Sequence, residues 1–214
     1  MGAQGMRIAL LGAESTGKTQ LSGELALALR AQDRTVEVVG EVLREWCARE
    51  GRTPRPEEQL PIAQEQERRV DEAAARAQVV ISDTTAVMVA IYSAMLFEDG
   101  TLYRFALERL RGYDATLLTG LDIAWVADGL QRDGPHVREP VDALIRDALN
   151  AARVPYRVIY GSGPQRVENA LAAIDALSAA GGHRGQPSRP WVWNCEKCGD
   201  PECEHRLFTG LTGR

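Results

Sequence analysis

The stretch "RIALLGAESTGKTQL", residues 7–21, passes from an apolar segment through a glycine-bounded loop into the start of a leucine-rich periodic segment. Its centre, "GAESTGKT" from Gly12 to Thr19, fits glycine, any four residues, then Gly-Lys-Thr. A strand-like run before the loop and a helix-like run after it supply the context that gives this pattern its meaning. In that context the backbone N–H groups of Ala13, Glu14, Ser15 and Thr16 converge with the positive end of the helix on one point. A polyphosphate there gains several charge-assisted hydrogen bonds. Gly12 and Gly17 let the backbone turn closely. Lys18 supplies a point charge for the β- and γ-phosphates, the Thr19 hydroxyl is placed to ligate Mg2+, and Gln20 opens the helix beside them. The stretch therefore reads as an ATP and Mg2+ site, against the bland alternative of a chance glycine-rich turn.

Working outward, five short apolar segments recur: "RIALLG", "TVEVVG", "QVVISD", "ATLLTG" and "YRVIYG". Longer stretches with helical spacing separate them, which is βα alternation, and continuous apolar runs suit strands covered on both faces. The expected fold is α/β, a P-loop NTPase fold with a doubly wound parallel five-stranded sheet and helices on both faces. Leu21, Leu25 and Leu29 form one buried helical stripe, and Leu144, Ala148 and Leu149 another. The composition changes at residues 181–190, "GGHRGQPSRP", which read as a linker. The expected units are a P-loop domain over residues 1–180, that linker, and a small tail over residues 191–214.

Of the 214 residues, 44% are hydrophobic and 26% charged, and the net charge is −5, which gives no electrostatic ground for nucleic-acid binding. No apolar run approaches the roughly 20 residues of a membrane helix, and no signal peptide is evident, so a cytoplasmic protein with a small-molecule substrate is expected. No Asn-Lys-x-Asp stretch reads guanine, which argues against a GTPase switch. Motor or assembly machinery does not fit the remaining length. Small-molecule phosphoryl transfer is left, and oligomeric state is not derivable.

Acidic groups fall at strand ends, the usual ligand edge of such sheets. Asp83 closes "VVISD". It competes for three roles: a Mg2+ ligand, directly or through water; a general base for a substrate hydroxyl; or a cap for the helix that follows. After the second segment come Glu41 and Arg44, one helical turn apart, able to hold a ribose or to share a surface salt bridge. The segment after the fourth strand, "LDIAWVADGLQRD", hangs over the same edge as a candidate lid. Arg132 and Arg138 are candidates for neutralising a transferring phosphoryl group. Asp128 and Gly129 supply a turn, and Trp125 is either core packing or a face on which a planar ring stacks.

Together "GAESTGKT", "GEVLREW", "ISDT" and above all "YDATLLTGLDIAWVADGLQRD" resemble the ribosylnicotinamide (nicotinamide riboside) kinase domain of the bacterial bifunctional NAD-biosynthesis regulators, over roughly residues 6–178. The resemblance implies ATP- and Mg2+-dependent phosphorylation of the ribose 5′-hydroxyl of nicotinamide riboside, giving the mononucleotide. It implies Trp125 as the stacking partner of the pyridinium ring, Asp83 as a ribose or catalytic contact, and Arg132 as a lid arginine. Lys18 and Glu41 complete the implied catalytic set, with Arg44, Asp128 and Arg138 on the substrate side. Glu41 and Arg44 match a Glu-x-x-Arg element whose middle residues are usually Tyr-Ala rather than Val-Leu. No His-x-Gly-His element is present, so a stand-alone kinase is expected. Kinases of another nucleoside or small alcohol, and a nucleotide-gated regulatory or scaffold protein acting through the tail, are the alternatives.

The tail "WVWNCEKCGDPECEHRLFTGLTGR" carries Cys195, Cys198, Cys203 and His205, a complete tetrahedral zinc set. The Cys-x-His spacing is tight, so Cys47 or His183 could replace a ligand. A redox Cys-x-x-Cys pair and free thiols are the competing readings.

Overall fold

All five apolar segments form strands in the computed structural model, which describes residues 5–98, 100–126 and 134–179. In chain order these are β1 (Met6–Leu11), α1 (Lys18–Arg30), β2 (Val36–Val39), α2 (Val42–Glu50), α3 (Pro56–Ala74), β3 (Val79–Asp83), α4 (Ala86–Phe97), α5 (Leu102–Leu110), β4 (Ala115–Thr119), α6 (Arg138–Ala151), β5 (Arg157–Ile159) and α7 (Gly163–Ala179). The sheet order is β2-β3-β1-β4-β5 and every neighbouring pair is parallel. The P-loop NTPase fold expected from the sequence is the fold observed. The linker at 181–190 and the Cys/His tail lie outside the described residues.

Strand pleat divides the core. Ile8 and Leu10 of β1 face one way, with Leu21, Leu25 and Leu29 of α1 and Ala170, Ile174 and Leu177 of α7. Ala9 and Leu11 face the other way, toward residues of α3, α4, α5 and α6, including Leu144, Ala148 and Leu149. Alternate side chains of one strand thus serve two apolar layers, which is why the strands read as continuous runs.

One polar network penetrates the larger layer. Arg7 of β1 pairs with Asp71 of α3 at 2.7 Å, and Asp71 also accepts from Arg109 of α5 at 2.5 Å. Glu67, one turn earlier on α3, accepts from the Ala86 backbone N–H at 3.0 Å and from the Tyr113 hydroxyl at 3.2 Å. Burial raises the Glu67 carboxyl above its usual range, opposed by that backbone hydrogen bond and by the Arg109 charge. No helix among the described residues is long and apolar enough to cross a membrane.

Candidate active site

The loop between β1 and α1 wraps the carboxyl end of the central strand. Gly12 has φ +152°, and a Cβ there would meet Thr119 Oγ1 at 2.0 Å, so the loop backbone lies directly on the end of β4. Gly17, with φ +72°, hands the chain into α1 from the left-handed region. Beneath the loop, Thr16 Oγ1 and Thr119 Oγ1 are 2.6 Å apart, with the Ala13 carbonyl 2.8 Å from the first and the Leu11 carbonyl 3.1 Å from the second. Each hydroxyl has one hydrogen, so the chain runs Thr16 to Thr119 to Leu11, or Thr119 to Thr16 to Ala13. Either way β1, the loop and β4 are stitched together. Lys18 Nζ donates to the Gly12 and Ala13 carbonyls at 2.9 and 2.8 Å, folded along the loop it serves.

At the mouth of the loop, Thr19 Oγ1 donates to Asp83 Oδ2 at 2.5 Å. Asp83 is the last residue of β3 and is 3% exposed, and its Oδ1 is buried with no hydrogen-bond partner among the described residues. A hydroxyl and a carboxylate converging from two elements, with a bare carboxylate oxygen beside them, are hard oxygen donors suited to Mg2+. The capping alternative for Asp83 is not what forms: Thr85 caps α4, its Oγ1 accepting from Val87 N–H at 3.2 Å. Glu41 and Arg44 pair at 2.9 Å, with Arg44 half exposed. Arg44 Nη1 also reaches 3.5 Å from Thr19 Oγ1, so this pair stands beside the loop.

The segment after β4 is tied down at its root. Asp122 Oδ2 accepts from Gly161 N–H at 2.6 Å, and Ser15 Oγ donates to the Val126 carbonyl at 3.1 Å and lies 2.8 Å from the Val126 N–H. Trp125 is therefore held next to the phosphate loop. It is half-buried, belongs to neither core cluster, and its Nε1 is buried without a hydrogen-bond partner among the described residues. Arg138 begins α6 and donates to the Leu121 carbonyl at 3.4 Å. Asp128 and Arg132 lie outside the described residues.

Two groups escaped the sequence reading. Arg166 of α7, 3% exposed, donates to the Thr16 carbonyl at 2.7 Å, and its Nη1 would be 3.1 Å from a Cβ on Gly17. Burial lowers its pKa, so a desolvated guanidinium stands against the phosphate-loop backbone. It shares a helical stripe with Ala170, Ile174 and Leu177, and an arginine on an otherwise apolar stripe was the available signal. The second is Gln66, on the stripe of Ile62, Val70 and Ala74 on α3.

Residues 7–166 match the sequence family described as an AAA domain. The chain belongs to this AAA-domain family. By structure, the AAA-domain chain is similar to NadR protein in complex with NAD and AMP-PNP, at 17% identity and a TM-score of 0.63 over 82% of this chain and 50% of that one. A NadR complex with NR gives 18% identity and 0.64 over 82% and 52%. The chain thus spans about half the length of these NadR chains. Deoxyadenosine kinase from M. mycoides follows at 14% identity and 0.55, over 80% of this chain and 100% of that one. Thymidylate kinase from Ehrlichia chaffeensis has 15% identity and 0.55 over 82% and 100%. At these identities the likenesses establish the fold. No curated protein matches this AAA-domain chain by sequence.

Proposed function

We propose that the protein is an ATP-dependent kinase of a nucleoside, and that the nucleoside is nicotinamide riboside, phosphorylated on its ribose 5′-hydroxyl. The observation that carries the phosphotransfer reading is the Thr19–Asp83 contact at the mouth of the phosphate loop, with Asp83 Oδ1 left bare in a buried setting. Thr19 and Asp83 would hold Mg2+, which when bound neutralises charge on the β- and γ-phosphates. Lys18 leaves the Gly12 and Ala13 carbonyls to meet the same phosphates, while the loop N–H groups and the start of α1 orient them. Glu41, fixed by Arg44 beside the loop, accepts the proton of the ribose 5′-hydroxyl as its oxygen bonds to the γ-phosphorus. The bond from that phosphorus to the bridging oxygen breaks, and ADP leaves. Arg132 and Arg138 neutralise charge on the transferring group.

The nicotinamide riboside reading is supported by Trp125, next in sequence to the Val126 that Ser15 holds and with an indole suited to a planar cationic ring, and by the "WVADGL" stretch that contains it. The NadR complexes with NR and with NAD and AMP-PNP belong to proteins of the same fold. The test is ATP consumption by the purified protein with nicotinamide riboside and detection of the mononucleotide by mass; turnover of thymidine or uridine alone would replace the substrate. Trp125→Ala should raise the riboside KM far more than the ATP KM. Equal losses with lowered thermal stability would mean packing.

For the C-terminal region we propose a linker at 181–190 and a structural zinc knuckle on Cys195, Cys198, Cys203 and His205, outside the P-loop unit. Elemental analysis of chelator-free protein should find about one zinc per chain, and metal-free protein would remove the site.

A further inference from the structure

Between the Glu41 and Asp83 segments stands the side chain of Gln66, 1% exposed, on the inner face of α3. Its Oε1 accepts from the Val42 N–H at 2.9 Å, one residue after Glu41. Its Nε2 donates to Ser82 Oγ at 3.2 Å and lies 3.5 Å from the Thr84 carbonyl, so it grips the residues on either side of Asp83. Ser82 Oγ donates to that same carbonyl.

The turn it grips is a demanding one. Thr84 has φ +84°, a strained conformation that a β-branched residue rarely adopts. Thr84 N–H is bonded to the Leu10 carbonyl of β1 at 3.1 Å, and the next residue of α3, Glu67, fixes the Ala86 N–H. Such a turn persists where its surroundings over-determine it, and it decides where the Asp83 carboxylate points. A backbone N–H on one side needs an acceptor and a backbone carbonyl on the other needs a donor. A primary amide supplies both, whereas a carboxylate supplies acceptors alone.

We propose that Gln66 is a positioning residue that holds the backbones bearing Glu41 and Asp83 in one register, so that the proton-accepting and Mg2+-side carboxylates approach the phosphate loop together. The proposal deepens the kinase reading and rests on it for its activity readout. It touches no substrate and acts through Val42, Ser82 and Thr84.

The test compares Gln66→Glu and Gln66→Met with wild type between pH 6 and 8.5, using the nucleoside that wild type phosphorylates. A misplaced carboxylate should lower kcat about 10- to 100-fold in Gln66→Met at every pH. Gln66→Glu should match it at pH 8 and recover toward pH 6, because a buried carboxyl titrates upward and its neutral form again offers one donor and one acceptor. Glu41, Glu67, Asp83 and Tyr113, the ionisable groups near this turn, are the same residues in all the proteins compared, and each profile is taken as a ratio to wild type. In parallel, AMP-PNP affinity is measured with and without Mg2+. Gln66→Met should lose most of the Mg2+-dependent gain and keep the Mg2+-free affinity within about twofold.

A flat Gln66→Glu ratio, or equal affinity losses with and without Mg2+, overturns the proposal. Should Gln66→Glu fold poorly, the same ratio is taken between Gln66→Glu/Thr84→Gly and Thr84→Gly, where glycine relieves the positive φ. If wild type phosphorylates no nucleoside, the kinase reading falls, and the Mg2+-dependent affinity still decides the role of Gln66.

Discussion

Asp83→Asn separates stability from function at one atom pair. The carboxylate is 3% exposed, has one oxygen bonded to Thr19 at 2.5 Å and the other bare. A bare buried charged oxygen costs about 1–3 kcal/mol or more, whereas the hydrogen bond from Thr19 loses about half of its charge-assisted strength when the acceptor becomes an amide. The two changes oppose each other, and the desolvation relief is the larger, leaving the nucleotide-free variant about 1 kcal/mol more stable. For a chain of this length that corresponds to a melting temperature higher by about 2–4 °C. The liganded state moves the other way. A Mg2+-nucleotide present at 100 times its Kd stabilises wild type by about 2.7 kcal/mol; a Kd weakened about 100-fold leaves about 0.4 kcal/mol. The kcat should fall about 10²- to 10³-fold. Thermal melts with and without AMP-PNP and Mg2+, beside steady-state turnover, read all three quantities. A variant that melts lower when free and keeps its Mg2+-dependent shift would refute the assignment of Asp83 to the metal side of the site.

Other changes probe the scaffold around that pair. Gly12→Ala places a methyl 2.0 Å from Thr119 Oγ1 at a positive φ, so it should cost about 1–3 kcal/mol and abolish ATP binding by calorimetry, with partial rescue by Thr119→Ala. Ser15→Ala removes both contacts to Val126; two such bonds contribute about 0.5–1.5 kcal/mol each, so the melting temperature should fall by at least about 2 °C, and kcat/KM about tenfold. Glu67 has its carboxyl raised in the fold, so the folded state holds the extra proton and stability declines as pH rises through the interval between the unfolded and folded pKa values. Glu67→Gln should flatten that decline in urea unfolding from pH 4.5 upward; an unchanged slope would place the pH dependence elsewhere.

The legible parts of this molecule were those whose physics is local. Each strand was visible because burial on both faces makes an uninterrupted apolar run, and Gly12, Lys18 and Thr19 were visible because one contiguous loop must do the phosphate's work. Asp83 could be placed because it ends such a run, although its bond to Thr19, 64 positions away, was not readable. The long helix α3 went unread: its stripe of Ile62, Val70 and Ala74 is interrupted by Gln66 and Glu67, the two residues that reach across to the β3–α4 turn. Arg166 was hidden for the same reason, since its partner, the Thr16 carbonyl, lies 150 positions earlier. A polar residue on a buried stripe looks like noise until its distant partner is known. Here such residues surround the candidate site.

The sheet order sets β1 in the middle, flanked by β3 and β4, while among the described residues β2 and β5 each keep an unpaired side. The amides of Ile8, Leu10 and their neighbours should therefore exchange with solvent only on global unfolding, and those of the outer strands through smaller openings. The phosphate loop springs from that slowest-exchanging strand, so the strand that anchors its start should open only with the whole domain. Substitutions that erode overall stability should reduce the amount of active protein and leave the affinity of each surviving molecule unchanged.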